Sequence, residues 1–422
     1  MITRDRRWMD DLHLDRVLGG AVKEFRRGLY RLERLHRYQQ GKHDILSRER
    51  QEGLPNARLP HGFARYIAQV SAGHLLAGPV RYTDGEHAPG VKALRALYEQ
   101  AEAGQADVEL AMQQAVYGRG VSLNYLDGQG TMKVAALDPR SAFVVYDDTV
   151  ERQPLMGVLL SQERDAQGRP AGGSATVYLP QRSLRWRLNA SGDPTGAPTA
   201  LPHAFGRVPM AEYLNNEAGR GDFEDVLPLI DAYDRLSSDR LNDRAQFADA
   251  MLVLTGVMGL GTADDPEDHQ AAMRRLRQNR TLTLPDGDAR AEWLVKNPLE
   301  KDIDVLRRAL AQDIHKFSMT PDFSDERFAG NASGIAIRYK LFCLEQKTRL
   351  KERWFVAGLR ERARITAGWM RKQGLPPIDP ERLRIHLARE TYQDDNGKET
   401  HGTSTADPPG KPGAAGDPGP DR

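Results

Sequence analysis

From Leu18 to Gln40 the apolar residues Val22, Phe25, Leu29, Leu32, Leu35 and Tyr38 return every three or four positions among arginines, the period of one face of an α-helix. The spacing predicts an amphipathic helix that Gly41-Lys42-His43 ends. A second helix is predicted from His61 to Leu76, with Phe63, Ile67, Val70, Leu75 and Leu76 apolar and Gly78-Pro79 as its stop, and a third from Val91 to Val116. Between Ser122 and Trp186 the texture changes to short alternating or β-branched runs such as VSLNYL, AFVVYD, GVLLSQ and LRWRL, broken by Gly, Asp and Pro. These predict a layer of antiparallel strands. NASGDPTGAPT, from Asn189 to Thr199, reads as a turn-rich surface loop.

Helix returns at Val226, runs to about Met251 and yields to a short strand, LVLTG. A small helix from Pro266 to Arg277, two strands (TLTL and AEWLV) joined by a PDGD turn, and a helix from Glu300 to Phe317 follow. Two helices thus bracket an αβ module of roughly forty residues, so small that sharing it between neighbouring subunits would steady it. After the polar stretch PDFSDERFAGNASG, a very long helix is predicted from about Ile335 to Lys372, a length that suits the scaffold of an oligomer. From Asp394 to Arg422 almost nothing is apolar, and this tail is predicted to be disordered. No internal repeat and no sustained heptad pattern stands out.

Composition narrows the function classes. A chain of 422 residues with 39% hydrophobic content has material for two or three domains. Sixty Lys and Arg against 59 Asp and Glu give a net charge of +1, so any nucleic-acid partner is not gripped by bulk charge. The opening MITRDRRWMDDLHLDRV has no apolar stretch after its basic residues, and no run approaches the length of a membrane span, so neither export nor a membrane partner is expected. The single Cys343 excludes an internal disulfide and fits a reducing compartment; its apolar neighbours in LFCL predict a small core residue.

Candidate chemistry is sparse. His36 and His43 lie seven apart and His61 and His74 near opposite ends of one helix; neither is a chelating spacing, and all four read as surface or capping histidines. DDPED at Asp264 to Asp268 lacks the ligand alternation of a calcium loop and reads as a solvated helix start. GLGTAD at Gly259 lacks the Lys-Ser/Thr of a phosphate-binding loop, and no GxSxG elbow occurs. No catalytic residue, metal site or cofactor is expected. The helix from Val226 carries Asp231, Asp234, Arg235, Asp239, Arg240, Asp243 and Arg244, with Asp231–Arg235–Asp239 spaced as an ion-pair ladder. Its apolar stripe of Leu229, Ile230, Tyr233, Leu236, Leu241 and Phe247 is thin, so lateral neighbours such as identical subunits in a ring would hold it.

Several strings together resemble one family. PNARLPHGFARYIAQVSAGHLLAGPVRY, from Pro55 to Tyr82, is similar to the wing-helix signature of tailed-bacteriophage (siphophage) portal proteins, and RLHRYQQGKH, ending at His43, to that family's tyrosine-rich turn. VYGRGVSLNYLD, LDPRSAFVVYD and GRVPMAEYLNNEAG come next in the family's order. Leu227 to Gly256 resembles its first stem helix and exit strand, and Phe317 to Arg360 its tunnel loop and long following helix.

The resemblance runs collinearly from about Arg31 to Leu387 and implies an α+β, mainly helical portal fold without catalysis. In that reading 1–225 form a wing with antiparallel strands, 226–251 and 300–317 two stem helices, 252–299 a small αβ clip, 318–334 a tunnel loop, 335–393 a long helix with a reduced crown, and 394–422 the tail. The chain departs from the family after RLRIHLARE, where many members continue into crown helices. The implied assembly is a ring, a dodecamer in this family, at the one capsid vertex that bears the tail, built in the host cytoplasm and carried in the virion.

The implied partners are further copies of the chain, sliding double-stranded DNA, the terminase large subunit, head-tail adaptors, and the major capsid and scaffolding proteins. Asp322, Asp325, Glu326, Arg327, Asn331 and Ser333 would face DNA; three carboxylates against one arginine leave two negatives, which suits sliding rather than gripping. Asp231, Arg235, Asp239, Arg240, Asp243 and Arg244 would make contacts between subunits. The competing reading is a metal-dependent DNA-processing enzyme of phage origin, for which no acidic pair can be nominated. A head-completion protein fits the length and the two-helix bracket poorly.

Overall fold

The computed structural model describes residues 1–51, 54–84, 89–247, 251–255, 290–294, 300–324 and 334–388. The helix from 266 to 277, the strand TLTL, GLGTAD, DDPED and the tail lie outside them. The chain opens with strand β1 (Ile2–Arg4) and helix α1 (Leu14–Gln39), which starts a turn earlier than its arginine-rich stretch suggested because Leu14, Val17 and Leu18 extend the buried face. Helix α2 (Phe63–Leu75) and strand β2 (Val80–Thr83) follow.

The single helix expected from 91 to 116 is two, α3 (Pro89–Gln100) and α4 (Ala103–Tyr117). Glu102 breaks it by adopting a left-handed conformation (φ 52°). That conformation costs a non-glycine residue about 1–2 kcal/mol. The break lets Tyr98, Ala101, Ala103 and Ala106 all enter the core around the bend. Apolar spacing alone carries no mark of it.

Gly118 then reverses the chain at φ 81°, where a Cβ would meet the Gly219 carbonyl oxygen at 2.0 Å, so only glycine fits. Strands β3 (Arg119–Leu126), β4 (Met132–Leu137), β5 (Ala142–Asp147), β6 (Pro154–Arg164), β7 (Pro170–Tyr178), β8 (Arg182–Leu188), β9 (Pro194–Pro202) and β10 (Met210–Leu214) form not one layer but two sheets. The larger has the order β1-β5-β6-β7-β8-β9, with β1 parallel to β5 (Ile2 opposite Val145) and the rest antiparallel. The smaller has the order β10-β3-β4.

The expected loop at 189–199 is a turn only as far as Asp193; beyond it β9 pairs with β8 (Thr199 opposite Arg185). Threonines and the neighbouring β8 draw this Pro- and Gly-rich stretch into the ladder. From Thr195 to Pro202 every residue of β9 is exposed, and Pro194, Pro198 and Pro202 have no N–H to offer at this sheet edge.

Helix α5 (Leu227–Phe247) leads to strand β11 (Met251–Thr255), which pairs antiparallel with β12 (Arg290–Leu294) ahead of helix α6 (Glu300–Phe317). The long helix α7 (Gly334–Lys372) and strand β13 (Arg384–Leu387), paired with β2, complete the described chain. The fold is α+β, as the sequence implied.

One core gathers Leu18 and Phe25 of α1, Phe143, Val145 and Met156 of the larger sheet, Leu110 of α4 and Phe355 and Leu359 of α7; Phe25 stacks on Phe143 at 4.5 Å. α7 lies close on β10 because Gly358 has no side chain: a Cβ there would stand 2.5 Å from the Tyr213 ring. Cys343, expected in the core, is exposed on α7, its apolar neighbours notwithstanding. Among the described residues no helix is long and apolar enough to cross a membrane.

Candidate functional site

α5 enters the fold through buried Val226, Leu227, Ile230 and Tyr233. Beyond them three polar residues four apart, Asp234, Ser238 and Asn242, have no exposed surface at all. Each takes a backbone N–H from the extended segment before α2: Asn242 Oδ1 from Ala57 (2.6 Å), Ser238 Oγ from Leu59 (3.0 Å) and Asp234 Oδ1 from His61 (2.8 Å). Two residues of extended chain advance about 6.6 Å and four residues of helix about 6.0 Å. Alternate N–H groups of an antiparallel strap therefore meet successive turns of the helix. The strap belongs to no sheet, and the helix side chains satisfy donors that a buried backbone has to place somewhere.

At the strap's end Asp234 binds two imidazoles, His43 Nδ1 at 2.6 Å on one oxygen and His61 Nδ1 at 2.8 Å on the other. His43 is buried, stacked on Tyr38 at 4.5 Å, with Nε2 3.2 Å from the Tyr38 carbonyl oxygen. His36 and His74 are partly buried and also bonded, to the Tyr117 hydroxyl (2.8 Å) and Thr348 Oγ1 (2.9 Å). The reading of four surface or capping histidines is therefore corrected. They are structural partners of groups far away in sequence, which local spacing does not reveal.

The Asp231–Arg235–Asp239 ladder does not form. Asp231 binds Arg34 Nη2 (2.8 Å) and the Tyr38 hydroxyl, and Asp239 binds Arg48 (2.7 Å) and Arg50 (2.8 Å). These arginines meet the carboxylates in partly buried surroundings where a charge-assisted bond is stronger, whereas Arg235 is exposed. Arg235 and Asp243 have no ion pair among the described residues. Arg244 is exposed and partnered.

On its other flank α5 meets α6. Arg240 reaches Asp304 at 3.5 Å, Asp304 also holds Arg307 (3.2 Å) and Arg308 (2.7 Å), and Arg307 donates to the Tyr233 hydroxyl at 3.4 Å. As position rises from 304 to 307 on α6 it falls from 240 to 233 on α5, so the helices are antiparallel. The β11–β12 pair therefore joins one end of the helix pair, and residues 318–324 leave α6 at the other. There Asp322 accepts Ser324 N (2.9 Å) and Ser324 Oγ (2.6 Å), a turn in which burial disfavours the charge but the Ser324 bonds prevail and hold its carboxyl below the usual range. Asp325, Glu326, Arg327, Asn331 and Ser333 lie outside the described residues.

Two buried charge clusters tie this region to the rest of the molecule, and neither was foreseen. Asp222, just ahead of α5, binds Lys351 and, at 3.3 Å, Lys347 of α7; Lys351 Nζ also meets Ser71 Oγ of α2 at 3.1 Å. Burial would raise the Asp222 carboxyl, but the two ammonium groups hold it far below the usual range. Arg362, fully buried, binds Asp107 at 2.6 Å and the Tyr82 hydroxyl at 2.9 Å. The one sequence signal was Lys347 and Lys351 at i, i+4, a spacing that places both on one helix face.

Among the described residues no group of three or more His, Cys, Asp or Glu is placed to hold a metal ion. An open cavity of about 630 Å³ between α7 and the segments around Phe205 and Pro380 is lined by Arg207, Arg364, Arg371, Lys372 and Glu381. Arg207 and Arg364 are already paired there with Glu361, at 3.1 and 2.8 Å.

Residues 22–400 match the family model described as phage portal protein, SPP1 Gp6-like. A portal protein of Bacillus phage SPP1 is 21% identical over 359 residues, covering 81% of this chain and 68% of that protein. A portal protein of Clostridium phage phiCD119 is 26% identical over 167 residues, 37% of this chain and 34% of the relative. Among solved structures, the neck of an empty GTA particle computed with C6 symmetry aligns at TM-score 0.42 and 14% identity over 78% of this chain and 81% of that one. The virion of a native gene transfer agent particle aligns at TM-score 0.39 and 14% identity over 75% and 90%. Three-dimensional likenesses this loose add nothing to what the family match carries.

Proposed function

We propose that this chain, which belongs to the SPP1 Gp6-like family of phage portal proteins, works as one subunit of a ring whose central channel passes double-stranded DNA. As a member of that family it is a structural protein of the portal vertex, a virion component and not an enzyme; the metal-dependent DNA-processing alternative falls with that membership. The ring is a dodecamer, assembled in the host cytoplasm.

The observation that carries the channel reading is the antiparallel pair α5–α6, with the β11–β12 strands at one end and residues 318–324 at the other. In this reading residues 1–225 are the wing, 226–251 and 300–317 the stem helices, 252–299 the clip, 318–334 the tunnel loop, and 335–393 the long helix with a reduced crown. The clip meets the terminase large subunit during packaging and the head-tail adaptors afterwards; the wing meets major capsid and scaffolding proteins. Asp322, Asp325, Glu326, Arg327, Asn331 and Ser333 face the DNA, which slides because the segment is weakly acidic and adds no phosphate-neutralising friction.

Of the charged residues of α5, Asp231, Asp239 and Arg240 are engaged within the subunit, so Arg235 and Asp243 are the groups offered to a neighbour. Negative-stain images of the purified protein viewed down the axis test the reading directly. Rings with a central hole are expected; monomers or dimers under every assembly condition would overturn it.

A further inference from the structure

α6 ends in an unusual way. Thr320 N bonds the His315 carbonyl oxygen (3.1 Å) and Met319 N that of Lys316 (3.2 Å), the paired bonds of a Schellman helix end. The left-handed position of that motif is normally glycine, but here Met319 occupies it at φ 53°. The chain is thus turned against its own preference, and Pro321 follows at once, so the path out of the helix has to be held by something else.

Three elements hold it. Lys347 Nζ of α7 donates to the Ser318 carbonyl oxygen at 2.9 Å, and His315 Nδ1 of α6 donates to that of Thr320 at 3.0 Å, leaving Ser318 and Thr320 buried. The third is Tyr66 of α2, 255 residues from Pro321. Its hydroxyl donates to the Pro321 carbonyl oxygen at 2.6 Å and accepts the Phe323 N–H at 3.1 Å. One oxygen therefore fixes both the acceptor and the donor flanking Asp322, which can then make its own turn with Ser324. The Tyr66 ring stands edge-on to His315 at 5.7 Å, so one side chain touches both the helix end and the segment leaving it.

We infer that Tyr66 is a positioning residue: its hydroxyl is a clasp that sets the direction in which residues 321–324 leave the second stem helix, and with it where Asp322 is presented to the DNA. The functional half of this inference rests on the portal reading above; the clasp itself rests on the geometry alone. Tyr66→Phe keeps the ring's contact with His315 and removes only the two hydroxyl bonds.

The experiment is hydrogen exchange resolved to the Phe323 amide, in wild type and Tyr66→Phe, beside negative-stain ring yield and the rate of DNA packaging in a reconstituted assay. Loss of the bond should speed exchange at Phe323 about 3- to 10-fold. Ring yield should stay at the wild-type value, and packaging should slow. Equal exchange at Phe323 overturns the clasp, and faster exchange with wild-type packaging overturns the positioning role. The exchange comparison decides the clasp even on protein that forms no rings, so its failure is told apart from failure of the portal reading. Tyr66→Leu, which also removes the ring, should disturb exchange at Thr320 as well, and a change confined to Phe323 in that variant would contradict the shared contact with His315.

Discussion

Asp234 has no exposed surface, and both of its oxygens accept bonds from histidines. Burial works against its charge, but the bonds from His43 and His61 outweigh it and hold the carboxyl below its ordinary value. A carboxyl depressed in the fold stabilises fully above its unfolded value of 3.8, and that contribution is lost as pH falls from there through the folded value. Asp234→Asn should therefore lose about 2–3 kcal/mol at neutral pH, the size of bonds to a buried charge. In urea unfolding the gap between variant and wild type should narrow below pH 4; a constant gap down to pH 3 would show that charge is not what the site uses. In the sequence this residue was one more charge on a helix with a thin apolar stripe. Its burial is set by His43 and His61, 191 and 173 residues away. The legible hint was chemical: Asp, Ser and Asn at i, i+4 and i+8 are poor residues for a helix interior unless their side chains are occupied.

At the scale of elements, the strap from 57 to 61 gives α5 what its thin apolar stripe does not. Ser238→Ala with Asn242→Ala strips two acceptors from strap N–H groups while leaving helix propensity no worse. The pair should cost about 2 kcal/mol, roughly 1 for each lost bond, read by denaturant unfolding, and should quicken exchange at the Leu59 and Ala57 amides. Unchanged exchange there would mean that the strap is held by its side chains alone. Helices α1, α2, α6 and α7 were legible because each repeats an apolar residue at helical period over several turns. The bend at Glu102 was not, because both sides of it share one period and the break is imposed by packing. β9 was hidden for a different reason. Turn-forming residues such as Gly192 and Pro194 speak for a loop, and only the presence of β8 draws Thr195 to Pro202 into a ladder.

Across the whole molecule, the Asp222–Lys351–Lys347 cluster is the joint where α2 and α7 meet the segment leading into α5. Lys351→Met removes the buried ammonium and leaves Asp222 short of its main partner, a loss of about 3–5 kcal/mol for a broken buried pair. Adding Asp222→Asn should recover part of it, because the buried carboxylate short of its main partner goes too, while Lys347 keeps its bond to the Ser318 carbonyl oxygen at 2.9 Å. Denaturant unfolding of both variants measures this, and a double variant no better than the single would mean that packing, not charge, dominates the joint.

The free edge of the larger sheet has a consequence for how copies of the chain come together. An exposed strand is a template: its unpaired N–H groups invite a strand from the next molecule, and nothing in that pairing ever closes. β9 offers nine residues of such an edge, and three of them are prolines with no hydrogen to give. Wherever many copies are crowded, growth along that edge stalls at Pro194, Pro198 and Pro202. Association is thus left to surfaces whose geometry can come full circle, and a particle of fixed size is favoured over a fibre.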